Sequence, residues 1–389
     1  MFVFVSPITT TNYTTGASLL VSIHKQRRKV VCLLASVDCY TLSHMEHNVF
    51  HTEKDKSTQK NCPFSSGDYS AVSTNERFLR GMRMNTISPA ANLYDITHPD
   101  SPHNNESFQP WFAPDAELPR ALAIRKAIYT ENSERTCMTD HDRPAVRSAA
   151  QQLLELQTSY LTRTFPDIYQ IAGDDIVIAS TGDKYPLHPA GSDLHPLAIS
   201  GLIGQEDICI VERTGDNRYQ MVAGFLASPT NWNLSQFMYM DMDGIHEDVA
   251  GYTERLKKVV DTSLESLPEF PEGIKARNNM FFRLDSSLGI IPDVNPEVNA
   301  DSVTNPGEDI FLRSERETLT RLPATEKYPE NDRFIIFTIK PHVFPLSEVM
   351  RMRGDRLLKV IQTNEKLRAY EFSPLAEQYI YSQVQKYID

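Results

Sequence analysis

The stretch DMDGIHEDV, residues 241–249, gathers Asp241, Asp243, Glu247 and Asp248 around a single histidine, His246. Carboxylates this dense read first as a calcium loop. Such a loop needs oxygen ligands at positions 1, 3 and 5, a glycine at 6 and a glutamate at 12. Counted from Asp241, Gly244 stands fourth, Ile245 fifth and Tyr252 twelfth, so the calcium reading fails. Two chemistries remain for His246. It is either a hydrogen-bonded or surface histidine, or an axial ligand to an iron porphyrin, a cofactor that needs one protein ligand and otherwise apolar packing. Spacing alone does not separate them.

Other reactive residue types are weighed in the same way. His44, His47 and His51 recur at helical metal-ligand spacing, but in a segment with no sustained period, where accidental clustering is the plainer reading. His188 and His195 flank a Pro/Gly loop and read as turn residues. Cys209 lies within ICIV and reads as a small core residue. Arg313, Arg316 and Thr320 share a face if residues 308–323 form a helix. That face is either solvated, with Glu317 and Arg321 as an i,i+4 pair, or a cationic clamp for a buried carboxylate such as a propionate.

Absences in the sequence narrow the field. It contains no G-x-G-x-x-G, no G-x-x-x-x-G-K-[ST], no G-x-S-x-G and no H-E-x-x-H. A Rossmann-type site for nicotinamide or flavin is therefore not expected. The cysteines (32, 39, 62, 137 and 209) form no C-x-x-C pair, which leaves no ligand set for a zinc knuckle or an iron–sulfur cluster and fits a reducing compartment. A net charge of −12 without a basic, aromatic-interleaved stripe argues against nucleic-acid binding and favours a small or neutral substrate. No apolar run is long enough for a transmembrane helix, so no membrane partner is expected.

These residues need elements to position them. Residues 1–60 show no period and read as an irregular leader ahead of one domain over 61–389. The first 45 residues hold a single acidic residue, Asp38, so a mitochondrial transit peptide stands as the alternative to a cytoplasmic chain with a loose leader. Residues 115–131 and 144–166 carry apolar stripes at helical spacing. DDIVIAST predicts a short strand, and 206–229 a hairpin about Thr214-Gly215-Asp216-Asn217. A helix is expected over 247–265, a strand over 278–284, a helix over 308–323 and a strand over 333–346. Two C-terminal helices follow, the last opened by Ser373 and Pro374. Helices on both sides of a hairpin-built sheet indicate an α+β fold.

Several stretches together resemble the haem-dependent oxidative N-demethylase alpha-subunit-like family. They are QEDICIV (205–211), SPTNW (228–232) followed by IH (245–246), LRSERETLTRLP (312–323), and FTIKPHVFPL, whose FTI is a family strand. LTRTFPDIY is similar to the family's L-x-x-R-Y-P segment, and ARNN (276–279) falls where the family has Arg-x-Asn-Trp. The resemblance implies a PAS-like antiparallel sheet enclosed by helices around a haem pocket with haem b. It implies a monooxygenase that takes O₂ and an amine-like small molecule and releases formaldehyde. Carried onto this sequence, it makes His246 the proximal iron ligand, puts Trp232 beside the pocket, and lets Arg313 and Arg316 meet the propionates. With no dinucleotide loop or cysteine cluster here, electrons would come from a separate reductase. The chain departs from the family around the ligand: QFMYM (236–240) replaces a Glu-Lys-Leu-Gly-like run, EDVAG follows the histidine, and the Trp of Arg-x-Asn-Trp is absent, with Met280 nearby. A non-catalytic haem-binding sensor and a haem-free PAS-like interaction protein are the competing readings.

Overall fold

The computed structural model describes residues 73, 76–81, 94–95, 110–140, 143–189, 194–230, 232–247, 252–271, 273–289, 300–363 and 373–385. The leader, the His44/His47/His51 cluster and Cys32, Cys39 and Cys62 lie outside the described residues. Among the described residues, ten strands run in chain order: β1 Tyr94–Asp95, β2 Cys137–Thr139, β3 Tyr169–Ala172, β4 Asp175–Ile178, β5 Lys184–Pro186, β6 Asp207–Arg213, β7 Tyr219–Phe225, β8 Lys275–Arg283, β9 Phe311–Arg321 and β10 Phe334–Pro345. Seven of them form one sheet in the order β1-β8-β9-β10-β6-β7-β2, and β3-β4-β5 form a second. Every neighbouring pair is antiparallel. With helices packed on this sheet, the fold is α+β, as the element pattern indicates.

Helices α1 Glu76–Gly81, α2 Leu118–Glu131, α3 Pro144–Thr164, α4 Pro196–Ile203, α5 Lys257–Glu265, α6 Leu346–Thr363 and α7 Ser373–Gln385 surround the sheets. The α2 and α3 stripes bury Leu122, Ile128, Leu153 and Leu161 against one face of the large sheet, through Ile208, Ile210 and Ile336. A β-carbon on Gly201 of α4 would collide with the Phe225 ring, so glycine sets how closely this helix approaches the sheet. The other face carries Cys209, Val211, Leu319, Ile335, Phe337 and Ile339, covered by residues of the connection from Leu226 to Leu267. A third cluster joins α1, α6 and α7 to the far ends of β8, β9 and β10 through Phe282, Leu312 and Phe344.

The 308–323 segment corrects the sequence expectation. Its central part is the strand β9, paired with β8 along one edge and β10 along the other. Its burial runs almost unbroken on both sides. A strand buried on both faces shows no two-residue alternation, and charged side chains within it imitate an amphipathic helix. The expected 247–265 helix differs in a smaller way: a π-helical turn, Tyr252–Leu256, precedes α5. Cys209 is a core residue in mid-strand, 1% exposed, and burial drives its thiol pKa upward. His195 caps α4, its Nδ1 accepting from the Leu197 amide.

Candidate functional site

Asp241 and Asp243 are used locally. Asp241 caps the short helical turn Met242–Ile245: its Oδ1 accepts from the Gly244 amide at 2.9 Å, and its Oδ2 pairs with Arg218 at 2.7 Å. These hydrogen bonds lower the Asp241 pKa, with burial opposing them. Asp243 pairs with Lys257 of α5. Among the described residues no three His, Cys, Asp or Glu side chains gather as ligands for a metal ion. Asp241 fixes this turn and Asp243 docks it, and the turn ends on the histidine.

His246 is 1% exposed. Its Nδ1 lies 2.6 Å from the Met242 carbonyl oxygen, and its ring stacks on Tyr252 with centroids 4.4 Å apart and planes 3° from parallel. A carbonyl can only accept, so Nδ1 carries the proton and the lone pair of the neutral ring resides on Nε2. Met242, Ile245, Tyr252 and Trp232 belong to one buried apolar cluster over the sheet, and Trp232 also packs edge-on against Phe237. The Tyr252 hydroxyl is buried without a hydrogen-bond partner among the described residues, and burial raises its pKa.

The register of β9 with β8 and β10 assigns each of its side chains to a face. Directly paired residues of an antiparallel ladder share a face, and neighbours along one strand alternate. Leu319 pairs with Phe337, both members of the cluster that covers the His246 side. Arg313, Glu315 and Glu317 therefore share that side, together with their β8 partners Phe281, Asn279 and Arg277. Arg316 pairs with Lys340 and faces the α2 and α3 side. The shared helix face expected for Arg313, Arg316 and Thr320 is thus corrected: three residues apart on a strand, the two arginines point to opposite faces.

Each arginine is engaged where it lies. The Arg313 guanidinium donates to the carbonyls of Ser228, Leu288 and Ser287 at 2.9, 2.9 and 3.2 Å. Arg316 donates to the carbonyls of Trp111 and Pro110. Sequence reasoning passed over the polar network beside Arg313. Glu315 accepts from Thr230 at 2.7 Å and from Asn279 at 2.8 Å, Glu317 accepts from Asn279 at 3.0 Å, and Glu317 pairs with Arg277 at 3.0 Å. Burial pushes the Glu317 carboxyl up to about 7, with Arg277 opposing and Glu315 adding to the shift. The available signal was the motif itself, ARNN beside LRSERETLTRLP, read in strand rather than helix register.

A family model described as haem-dependent oxidative N-demethylase, alpha subunit-like, matches residues 103–377, well over half of the 389-residue chain. The chain belongs to that family. A search of curated proteins found no match. Membership in this haem-dependent N-demethylase-like family points to an oxidoreductase that acts on a small molecule with a haem cofactor. Among the described residues, no helix is long and apolar enough to cross a membrane.

Two family-like motifs send side chains to both faces of the sheet. In QEDICIV, Gln205 and Glu206 tie the Ala113–Asp115 backbone to the sheet, accepting from the Asp115 and Ala113 amides at 3.0 and 2.8 Å. Asp207 receives Arg125 at 2.8 Å and the Ala227 and Ser228 amides. Burial raises the Asp207 pKa, opposed first by the charge of Arg125. That motif is an anchor for α2 and for the chain leaving β7. LRSERETLTRLP sends Arg316 toward the same anchor, and Arg313, Glu315 and Glu317 toward His246's side of the sheet.

Proposed function

We propose that the chain is a haem-dependent monooxygenase that removes a methyl group from a substituted amine, with His246 as the proximal ligand of haem b. The observation that carries this reading is the His246 ring. It is buried, its Nδ1 proton is held by the Met242 carbonyl, and its basic nitrogen is Nε2. A ligating imidazole needs this arrangement, since the bond at the far nitrogen fixes the tautomer and raises ligand basicity. A PAS-like architecture is supported by strand order. Counted among β6 to β10, the sheet runs second, first, fifth, fourth, third, and the connection carrying His246 joins the second strand to the third.

Bound haem supplies activation of dioxygen for oxidation of a C–H bond next to nitrogen. Overall, a methylamine, O₂, two electrons and two protons give the shorter amine, formaldehyde and water. The chain's own residues do the rest. Met242 holds the ring proton, Tyr252 fixes the ring plane, and Trp232 with Ile245 keeps water from the apolar side. Of the two arginines assigned to propionates by resemblance, only Arg313 shares the His246 face, so the pair does not act as one clamp. In this reading electrons come from a separate reductase, in keeping with a sequence that carries no dinucleotide-binding loop and no cysteine cluster.

The test is O₂ uptake and formaldehyde release by the hemin-loaded chain, supplied with an electron donor and a panel of N-methylated amines. The expected result is formaldehyde formed in proportion to O₂ for at least one secondary or tertiary methylamine. Haem uptake without amine-dependent turnover on any member of the panel would favour the sensor reading. No haem uptake would leave the interaction-protein reading.

A further inference from the structure

Among the described residues, the buried polar atoms on the His246 side of the sheet that lack a hydrogen-bond partner include the Tyr252 hydroxyl and Arg277 Nη1. Arg277 is the most telling of these. It is 5% exposed, and its Nε is ion-paired with Glu317 at 3.0 Å. Nearly all buried donors in folded proteins are satisfied, and an orphaned donor on a charged group is more costly than a neutral one. A buried guanidinium with one arm held by a glutamate and another arm bare is a half-used fork, and that fork matches a carboxylate.

Its surroundings leave room for a further negative charge. Arg277 and Arg313 share the face with Glu315 and Glu317, and Glu315 is within 3.6 Å of Arg313. The raised Glu317 pKa lets that carboxyl hold a proton near neutrality, so the local charge leans positive when it does. The two carboxylates beside Arg277 are fixed by Asn279 and Thr230: Glu315 accepts from both, and Glu317 accepts from Asn279.

We infer that Arg277 receives a propionate carboxylate of the haem, the role that neither Arg313, spent on three backbone carbonyls, nor Arg316, on the opposite face, is built to fill. This inference rests on the haem reading above and assigns one residue within it.

The test is a titration of the full chain with hemin and with hemin dimethyl ester, whose carboxylates are blocked, followed by Soret absorbance rather than activity. Wild type is expected to bind hemin about ten-fold or more tightly than the ester, the scale of a charge-assisted hydrogen bond. Arg277→Gln is expected to lose that preference while keeping its affinity for the ester, and Arg277→Lys to restore part of it. Circular dichroism and thermal melting establish that each variant folds; Arg277→Lys, which retains the charge opposite Glu317, carries the comparison if Arg277→Gln does not. Equal binding of the two porphyrins by wild type overturns the assignment, as does an undiminished preference in both variants. Failure of wild type to take up either porphyrin overturns the haem reading and this assignment together, whereas uptake without preference overturns only the assignment.

Discussion

At the scale of single residues, Nδ1 of His246 faces the Met242 carbonyl, which leaves the lone pair of the neutral ring on Nε2. Glu317 is the second informative residue. Its carboxyl is pushed from the ordinary 4.5 up to about 7, chiefly by burial. Between those values the folded chain binds a proton that the unfolded chain releases. The resulting stabilisation is fully present below 4.5 and is lost as pH rises through 7, about 3 kcal/mol at roughly 1.4 kcal/mol per pH unit. Urea unfolding at pH 5 and pH 8 should show this slope in wild type and a reduced slope in Glu317→Gln. An identical slope in the variant would place the dependence on another group.

Residue identity was the most legible level in the sequence. The failure of the calcium loop could be read from the order of residues, because a ligand count is a one-dimensional property, whereas His246 and Trp232 were singled out through the family resemblance. The role of Asp241 as helix cap was not, since capping depends on where the turn begins. Arg277 was hidden for another reason: its meaning lies in which atom lacks a partner, and that is a property of the packed sheet.

Between elements, the decisive fact is that β9 is a strand. The helical reading of 308–323 put Arg313 and Arg316 side by side, and the ladder register separates them by the thickness of the sheet. Central strands buried on both faces give no alternation, so charged residues at helical spacing carried the wrong period. The hairpin of β6 and β7 and the long β10 were legible because they combine β-branched runs with clear turns. Separation of the arginines has an observable consequence. Arg316→Met should lower stability by about 1–3 kcal/mol through its two abandoned carbonyls, yet leave hemin affinity unchanged. A loss of hemin affinity in a folded Arg316→Met protein would return that residue to the cofactor side.

The α2 anchor belongs to the same scale. Arg125 is fully buried and reaches Asp207, Ser228 and the Gly201 and Glu206 carbonyls. Removing one member of a buried pair strands the other charge, so Arg125→Ala should cost about 3–5 kcal/mol in urea unfolding. The double variant Arg125→Ala with Asp207→Ala should cost less than the two single losses added, because they share the interaction. Strict additivity would contradict the coupling. Gly201→Ala should also destabilise, by about 1–3 kcal/mol, since its β-carbon overlaps the Phe225 ring.

For the whole molecule, the sheet divides the labour. One face, with α2, α3 and α4, is an apolar core pinned by QEDICIV, and the other carries His246 and the Arg277–Glu317 network. The fold class followed from the element pattern, and the family from motifs scattered across most of the chain. The distribution of their side chains between the two faces did not follow, because pairing register joins residues far apart in sequence. The central claim is that His246 binds haem iron. Its most direct test is the absorption spectrum of hemin-reconstituted wild type and His246→Ala in ferric, ferrous and carbon-monoxide-bound forms. We expect one haem per chain with a histidine-ligated spectrum in wild type, lost or displaced in the variant. An unchanged spectrum in His246→Ala, or no specific haem uptake by wild type, would contradict it.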